Sequence, residues 1–189
     1  MKVVAFNGSP RKDGNTATLI REALGELEKE GIETEIVHLK GPINGCIACF
    51  KCFDKKDGRC AQEMDMINDC IEKMKDADGI ILGSPTYFAD LTPELKALID
   101  RAGFVSKANG DMFRQKAGAA IVAVRRAGAV HVFDSINHFF LISQMIIPGS
   151  SYWNMGLGLE ERDVEKDQEG LQTMRVLGQN MAWLIKKLR

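Results

Sequence analysis

Phe6-Asn7-Gly8-Ser9-Pro10-Arg11-Lys12-Asp13-Gly14-Asn15-Thr16 is the stretch on which the reading of this chain turns. An apolar run, Val3-Val4-Ala5-Phe6, precedes it and has the composition of a short buried strand. After it, Leu19, Ile20, Ala23, Leu24 and Leu27 recur at helical spacing. The stretch is therefore a strand-to-helix turn. Gly8 and Gly14 let the backbone bend and approach a ligand closely. Ser9 and Thr16 carry hydroxyls, and Arg11 offers charge-assisted hydrogen bonds. Asn15 or Thr16 opens the helix, where free amides and the positive dipole end favour an anion. These features suit a phosphate. No Gly-Lys-Ser/Thr follows, and the Gly-x-Gly-x-x-Gly dinucleotide pattern is absent, so a terminal phosphate monoester fits better than a bridging pyrophosphate. The plainer alternative is an ordinary capped turn, because Asn and Thr are common N-caps.

Outward from this turn, the same alternation repeats. Residues 33–39 read as a second strand near the sheet edge, 78–83 and 117–124 as buried third and fourth strands, and 144–148 as a short fifth. Helical spacing separates them: Met66 to Met74, residues 92–101 with Pro93 in the first turn, Val132 to Phe140, and Leu171 to Leu188. Strands alternating with helices give an α/β fold, a doubly wound parallel sheet in three α/β/α layers. In strand order 2-1-3-4-5, residues 9–16, 84–90 and 125–129 adjoin at the carboxyl edge, where ligands bind such sheets. The second of these loops carries Pro85, Thr86, Tyr87 and Phe88, whose aromatic pair can flank a flat heterocycle. The third carries Arg125 and Arg126, which can place positive charge beside a ring that gains negative charge on reduction. Tucked aromatics and a solvated basic pair are the plainer alternatives. Phosphate at one loop and a flat ring at its neighbours describe a mononucleotide with a large aromatic base. Tyr152 and Trp153 could cover that base or pack under the last helix, and His131 and His138, seven apart on one helix face, could line the site or an interface.

Four of the five cysteines fall within fifteen residues, as Cys46-x2-Cys49-x2-Cys52-x7-Cys60. They sit in residues 41–65, a connection far longer than the usual 2–6 residues between strand and helix. Soft thiolate sets select zinc or an iron–sulfur cluster. Structural zinc more often uses two separated Cys-x2-Cys pairs, whereas three cysteines each three apart are typical of iron–sulfur ligation. Redox-active or plain free thiols are the remaining option. Cys70 lies on an apolar helix face and reads as a core thiol.

A net charge of −1 gives no electrostatic signature of a nucleic-acid or membrane partner, and no apolar run approaches the ~20 residues that span a bilayer. At 189 residues the expectation is one domain, located in the cytoplasm.

Gly8-Ser9-Pro10-Arg11-x-x-Gly14-Asn15-Thr16 together with Gly83-Ser84-Pro85-Thr86-Tyr87-Phe88 resembles the NADPH-dependent FMN reductase family, of flavodoxin-like fold. The resemblance implies FMN, with Ser9, Arg11, Asn15 and Thr16 on its phosphate. Pro85, Thr86, Tyr87 and Phe88 would lie along the isoalloxazine and ribityl chain, and the assembly would be a homodimer or homotetramer. The cysteine run resembles the iron–sulfur flavoproteins of that family, which implies one [4Fe–4S] cluster on Cys46, Cys49, Cys52 and Cys60. The expected function is an FMN-dependent oxidoreductase or electron-transfer protein. Its donor would be ferredoxin or NAD(P)H, and its acceptor a small molecule or a protein. The alternatives are a cluster-free NAD(P)H-dependent FMN or quinone reductase, and a metal-stapled binding module without a redox role.

Overall fold

Alternate residues of the central apolar runs face opposite sides of one sheet, which divides the core in two. The computed structural model describes residues 1–188. In chain order its elements are β1 (Lys2–Asn7), α1 (Asn15–Lys29), β2 (Glu33–His38), α2 (Lys51–Lys55), α3 (Ile67–Asp76) and β3 (Gly79–Pro85). They continue with α4 (Pro93–Ala108), β4 (Ala117–Val124), α5 (Ala129–Ile142), β5 (Met155–Leu157) and α6 (Gln168–Leu188). All strand pairs are parallel, in the order β2-β1-β3-β4-β5. Val4, Phe6, Ile80, Leu82, Ala120 and Val122 pack with α3, α4 and α5; Val3, Ala5, Ile81, Ala119 and Ile121 pack with α1 and α6. This is the doubly wound, flavodoxin-like arrangement expected from the sequence. No helix among the described residues is long and apolar enough to cross a membrane.

Register sets the ligand edge. Asn7 pairs with Gly83, Pro85 with Ala123, and Val124 with Leu157, so four strands end together and their following loops lie side by side.

Two expectations need correction. The fifth strand is not at residues 144–148 but at Met155–Leu157. Gln144 has φ of +58°, which breaks the extended path at once, and Pro148 has no amide to give a ladder. Only Ile146 bridges β4, through Gly118 N–H to its carbonyl and its own N–H to Lys116 O. The apolar character of Met145 and Ile147 reflects packing under α5 rather than strand pairing. Helix α4 also continues well past Arg101, to Ala108. Its buried stripe runs on through Ala102 and Val105, and Gly103 sits against the Phe139 ring instead of ending the helix.

Candidate functional site

The turn after β1 is shaped from within by Asn7, whose side chain is fully buried. Its Oδ1 accepts from Ser9 N–H at 3.0 Å and its Nδ2 donates to Lys12 O at 3.1 Å, so one amide group ties both limbs of the turn. Ser9 Oγ accepts from Arg11 N–H at 3.1 Å. Gly8 cannot carry a side chain, since a Cβ there would meet Leu95 Cβ at 2.9 Å. The turn is clamped to its neighbours by Gly8 N–H to Gly83 O and by Thr92 Oγ1 donating to Gly8 O, both close to 2.8 Å.

Helix α1 starts behind this turn with Gly14 at the N-cap and no side-chain cap, so its first amides have no acceptor within the helix. Thr16 Oγ1 is buried and has no hydrogen-bond partner among the described residues. A buried hydroxyl without a partner costs ~1–3 kcal/mol. It stands beside free helix amides, an arrangement that suits an anion's oxygen.

A pocket of about 220 Å³ opens here. It is lined by Ser9, Arg11, Asn15, Thr16, Pro85, Thr86, Tyr87 and Arg125, with Ala123, Gly158 and Leu159 closing the far wall. Two guanidiniums and no carboxylate line it. Of the sequence candidates, eight meet in this pocket. Phe88 and Arg126 do not line it: both are exposed, and Phe88 projects fully into solvent from a bend in which Phe88 and Ala89 have positive φ. Asn15 does more than face the pocket. Its Nδ2 donates to Glu160 O at 2.9 Å and its Oδ1 accepts from Val164 N–H, which fixes the loop after β5 as the pocket wall. That wall, and Asn7 beneath the turn, were missed in the sequence. Asn7 could have been found, because Asn before Gly-Ser is a ready side-chain-to-backbone turn. Gly158 could not, since its need for no side chain arises only when Asn15 Nδ2 approaches its would-be Cβ at 2.7 Å.

Tyr152 and Trp153 pack edge to face at 4.5 Å around a separate cavity with Phe133 and Ile147, and neither reaches the pocket. His131 stands 4.0 Å from Asp90, and His138 lines a groove between α4 and α5.

The four clustered cysteines share a second pocket, with Phe50, Gln62, Arg101, Phe104 and Val105. None forms a disulfide. Ala48 and Phe50 have φ of +52° and +56°, unfavourable for residues with side chains, and they curl the chain so that its thiols turn to one side. Rings of Phe50 and Phe53 pack against Phe104 with centroids 5.9 and 6.2 Å away, holding α2 on α4. Cys60 is bracketed by Asn68, which accepts its N–H at 2.7 Å and donates to its carbonyl at 2.9 Å. N–H groups of Ala48 and of the Arg101 side chain point at the sulfurs of Cys46 and Cys60, at 3.5 and 3.3 Å.

Among the described residues no three His, Cys, Asp or Glu side chains meet around one ion position. A cluster makes a different demand, because its four thiolates bind four separate irons. Four unpaired thiols around one cavity of about 20 Å³, with N–H donors aimed at two sulfurs, supply the donor set that such a cluster takes. Burial pushes the Cys70 thiol up to about 12, consistent with an inert core position.

Arg101 anchors this segment. Its side chain is wholly buried and ion-paired with Asp65, and it donates to Asn44 O at 3.1 Å and Gln62 O at 2.7 Å. Burial pushes the Asp65 pKa up, but the Arg101 guanidinium and the amides of Ile67 and Asn44 outweigh it and hold the carboxyl below its ordinary 3.8. A depressed folded-state value means that the ion pair stabilises fully above the unfolded value and that this contribution is lost as pH falls through the folded one. Hydrogen exchange of amides 44–68, corrected for intrinsic rate, is therefore expected to lose protection below about pH 4 in the native chain. In the iron-free protein, Asp65→Asn should be less protected than the native chain already at pH 7. Equal protection of both proteins at pH 7 would show that the pair does not hold the segment.

The model of the NADPH-dependent FMN reductase family matches residues 1–160. An iron–sulfur flavoprotein of Methanocaldococcus jannaschii is 40% identical, with 100% of both chains covered. One from Methanosarcina thermophila is 33% identical over 92% of this chain and 90% of its own. Among solved structures, RosB with a bound 8-demethyl-8-formylriboflavin-5'-phosphate superposes with a TM-score of 0.78 at 21% identity, covering 100% of this chain and 80% of that one. An archaeal flavodoxin does so at 0.63 and 16%, covering 98% and 99%.

Proposed function

The chain belongs to the NADPH-dependent FMN reductase family and is an FMN-dependent oxidoreductase or electron-transfer flavoprotein; from that premise we infer that it passes electrons between FMN in the rim pocket and a [4Fe–4S] cluster on Cys46, Cys49, Cys52 and Cys60. The observation that carries this reading is that four unpaired thiols share one pocket on a chain whose carboxylate-free rim pocket ends at an uncapped helix.

When bound, FMN exchanges electrons singly or in pairs and a cluster exchanges them singly, so the two together join two-electron to one-electron partners. The chain's own residues do the positioning. Ser9, Thr16 and the first amides of α1 bind the phosphate, and Arg11 adds charge at its exposed side. Pro85, Thr86 and Tyr87 form one wall for the ring and ribityl chain. Asn15 holds the opposite wall through Glu160 and Val164. Arg125 favours added negative charge on the ring. Phe88 and Arg126, outside the pocket, are placed to meet whatever covers its mouth, including a second copy in a homodimer or homotetramer. The electron donor is ferredoxin or NAD(P)H, and the acceptor a small molecule or a protein. The chain is one FMN-binding domain, and residues 41–65 are a cysteine-bearing insertion in it.

Anaerobically purified protein tests this. Flavin absorbance bands, a broad shoulder that bleaches on reduction, and about four iron and four sulfide per chain are expected. Flavin bands without iron would leave a cluster-free reductase, and a colourless protein that takes up no flavin would contradict both cofactors.

A further inference from the structure

Arg101 touches Cys60 as well as the loop, and its charge is enclosed. The side chain has no solvent exposure and that of Asp65 has 4%. The guanidinium divides its donors. Nη1 and Nη2 serve Asp65, Asn44 O and Gln62 O, while Nε alone is left for Cys60 Sγ at 3.3 Å. No other cationic side chain lines the thiol pocket among the described residues. An anchor for the loop needs only the Nη atoms. The Nε–H directed at a sulfur is a separate feature.

We propose that Arg101 is a positioning residue that sets the reduction potential of the thiolate-held centre, with Asp65 as the counter-charge that limits its effect. The inference rests on the cluster reading above. One-electron reduction by a reduced flavin adds one negative charge to the centre without breaking a bond. A buried cation donating to a ligand sulfur favours the more negative state, because low local polarity leaves its field poorly screened. The donor acts on both oxidation states and only the difference between them moves the potential; that difference is expected to change the oxidised-to-reduced ratio at fixed potential about tenfold. Tenfold corresponds to 59 mV for one electron.

This role and a purely mechanical one predict different signs. In Arg101→Gln the cation is lost and the centre should become harder to reduce, by about tenfold in that ratio. In Asp65→Asn the cation stays but its counter-charge is gone, so the centre should become easier to reduce. Arg101→Lys keeps charge without the fork, and its potential should move back from that of Arg101→Gln toward wild type. The measurement is an anaerobic titration of the full-length protein, following the reduced centre by electron paramagnetic resonance and the flavin by absorbance. Flavin potentials should stay at the wild-type value in all three. Iron-bearing variants that keep the wild-type centre potential, or that all shift the same way, would overturn the proposal and leave Arg101 a loop anchor. Wild-type protein that takes up no iron would overturn the cluster reading itself, and this inference with it.

Discussion

Thr16→Val is expected to raise the melting temperature of the flavin-free protein while weakening its affinity for FMN. Valine has nearly the same shape as threonine. Thr16 Oγ1 is buried without a partner, so the substitution removes an unsatisfied polar atom from the free protein. Relief of such a group is worth ~1–3 kcal/mol. If Thr16 is a phosphate ligand as proposed, the same hydroxyl donates to a charged oxygen in the complex, and its loss should cost ~1.5–3 kcal/mol, or roughly 10- to 100-fold in Kd. The opposite signs are what matter. A threonine that merely packs would give valine a small effect on both quantities, whereas a phosphate ligand moves them apart. Differential scanning of the flavin-free protein and fluorescence titration with FMN read the two effects, and unchanged affinity would remove Thr16 from the site.

The second large effect concerns the thiols. Cys60→Ala, reconstituted anaerobically with iron and sulfide, should fall to background iron while retaining FMN at the wild-type level. The separation follows from geometry, because the two pockets share no lining residue. Cys70→Ala should keep full iron, since Cys70 is buried in the core cluster beneath α3 and outside the thiol pocket. Loss of iron on replacing Cys70, or its retention on replacing Cys60, would reassign the ligands.

Much of this was legible in the sequence because it rests on local pattern. The runs of Val3 to Phe6, Ile80 to Leu82 and Ala117 to Val124 each pack on both faces, as the strands of a parallel sheet covered on both sides do. Ser9, Arg11 and Thr16 were legible because a strand, small residues and a helix start follow one another without interruption. What escaped was set by distant contacts. Residues 144–148 look like a strand, but one positive φ at Gln144 diverts the chain, only Ile146 bridges the edge of β4, and ladder pairing starts at Met155. Arg101 served in the sequence only as the approximate end of a helix. It is buried because Asp65 and the carbonyls of Asn44 and Gln62, 36 to 57 residues away, converge on it. Arg125 and Arg126 are indistinguishable in the sequence, and only strand register decides that the first lines the pocket and the second does not.

The central claim is that the loops at the carboxyl edge hold one FMN, with phosphate at the start of α1 and the ring between Tyr87 and the wall after β5. Its most direct test is titration of flavin-free protein with FMN, in parallel with riboflavin, which has the same ring but no phosphate. One FMN should bind per chain and remain through gel filtration, and riboflavin should bind at least tenfold more weakly, the scale of one lost charge-assisted hydrogen bond. Equal affinity for the two flavins, or retention of neither, would contradict the account.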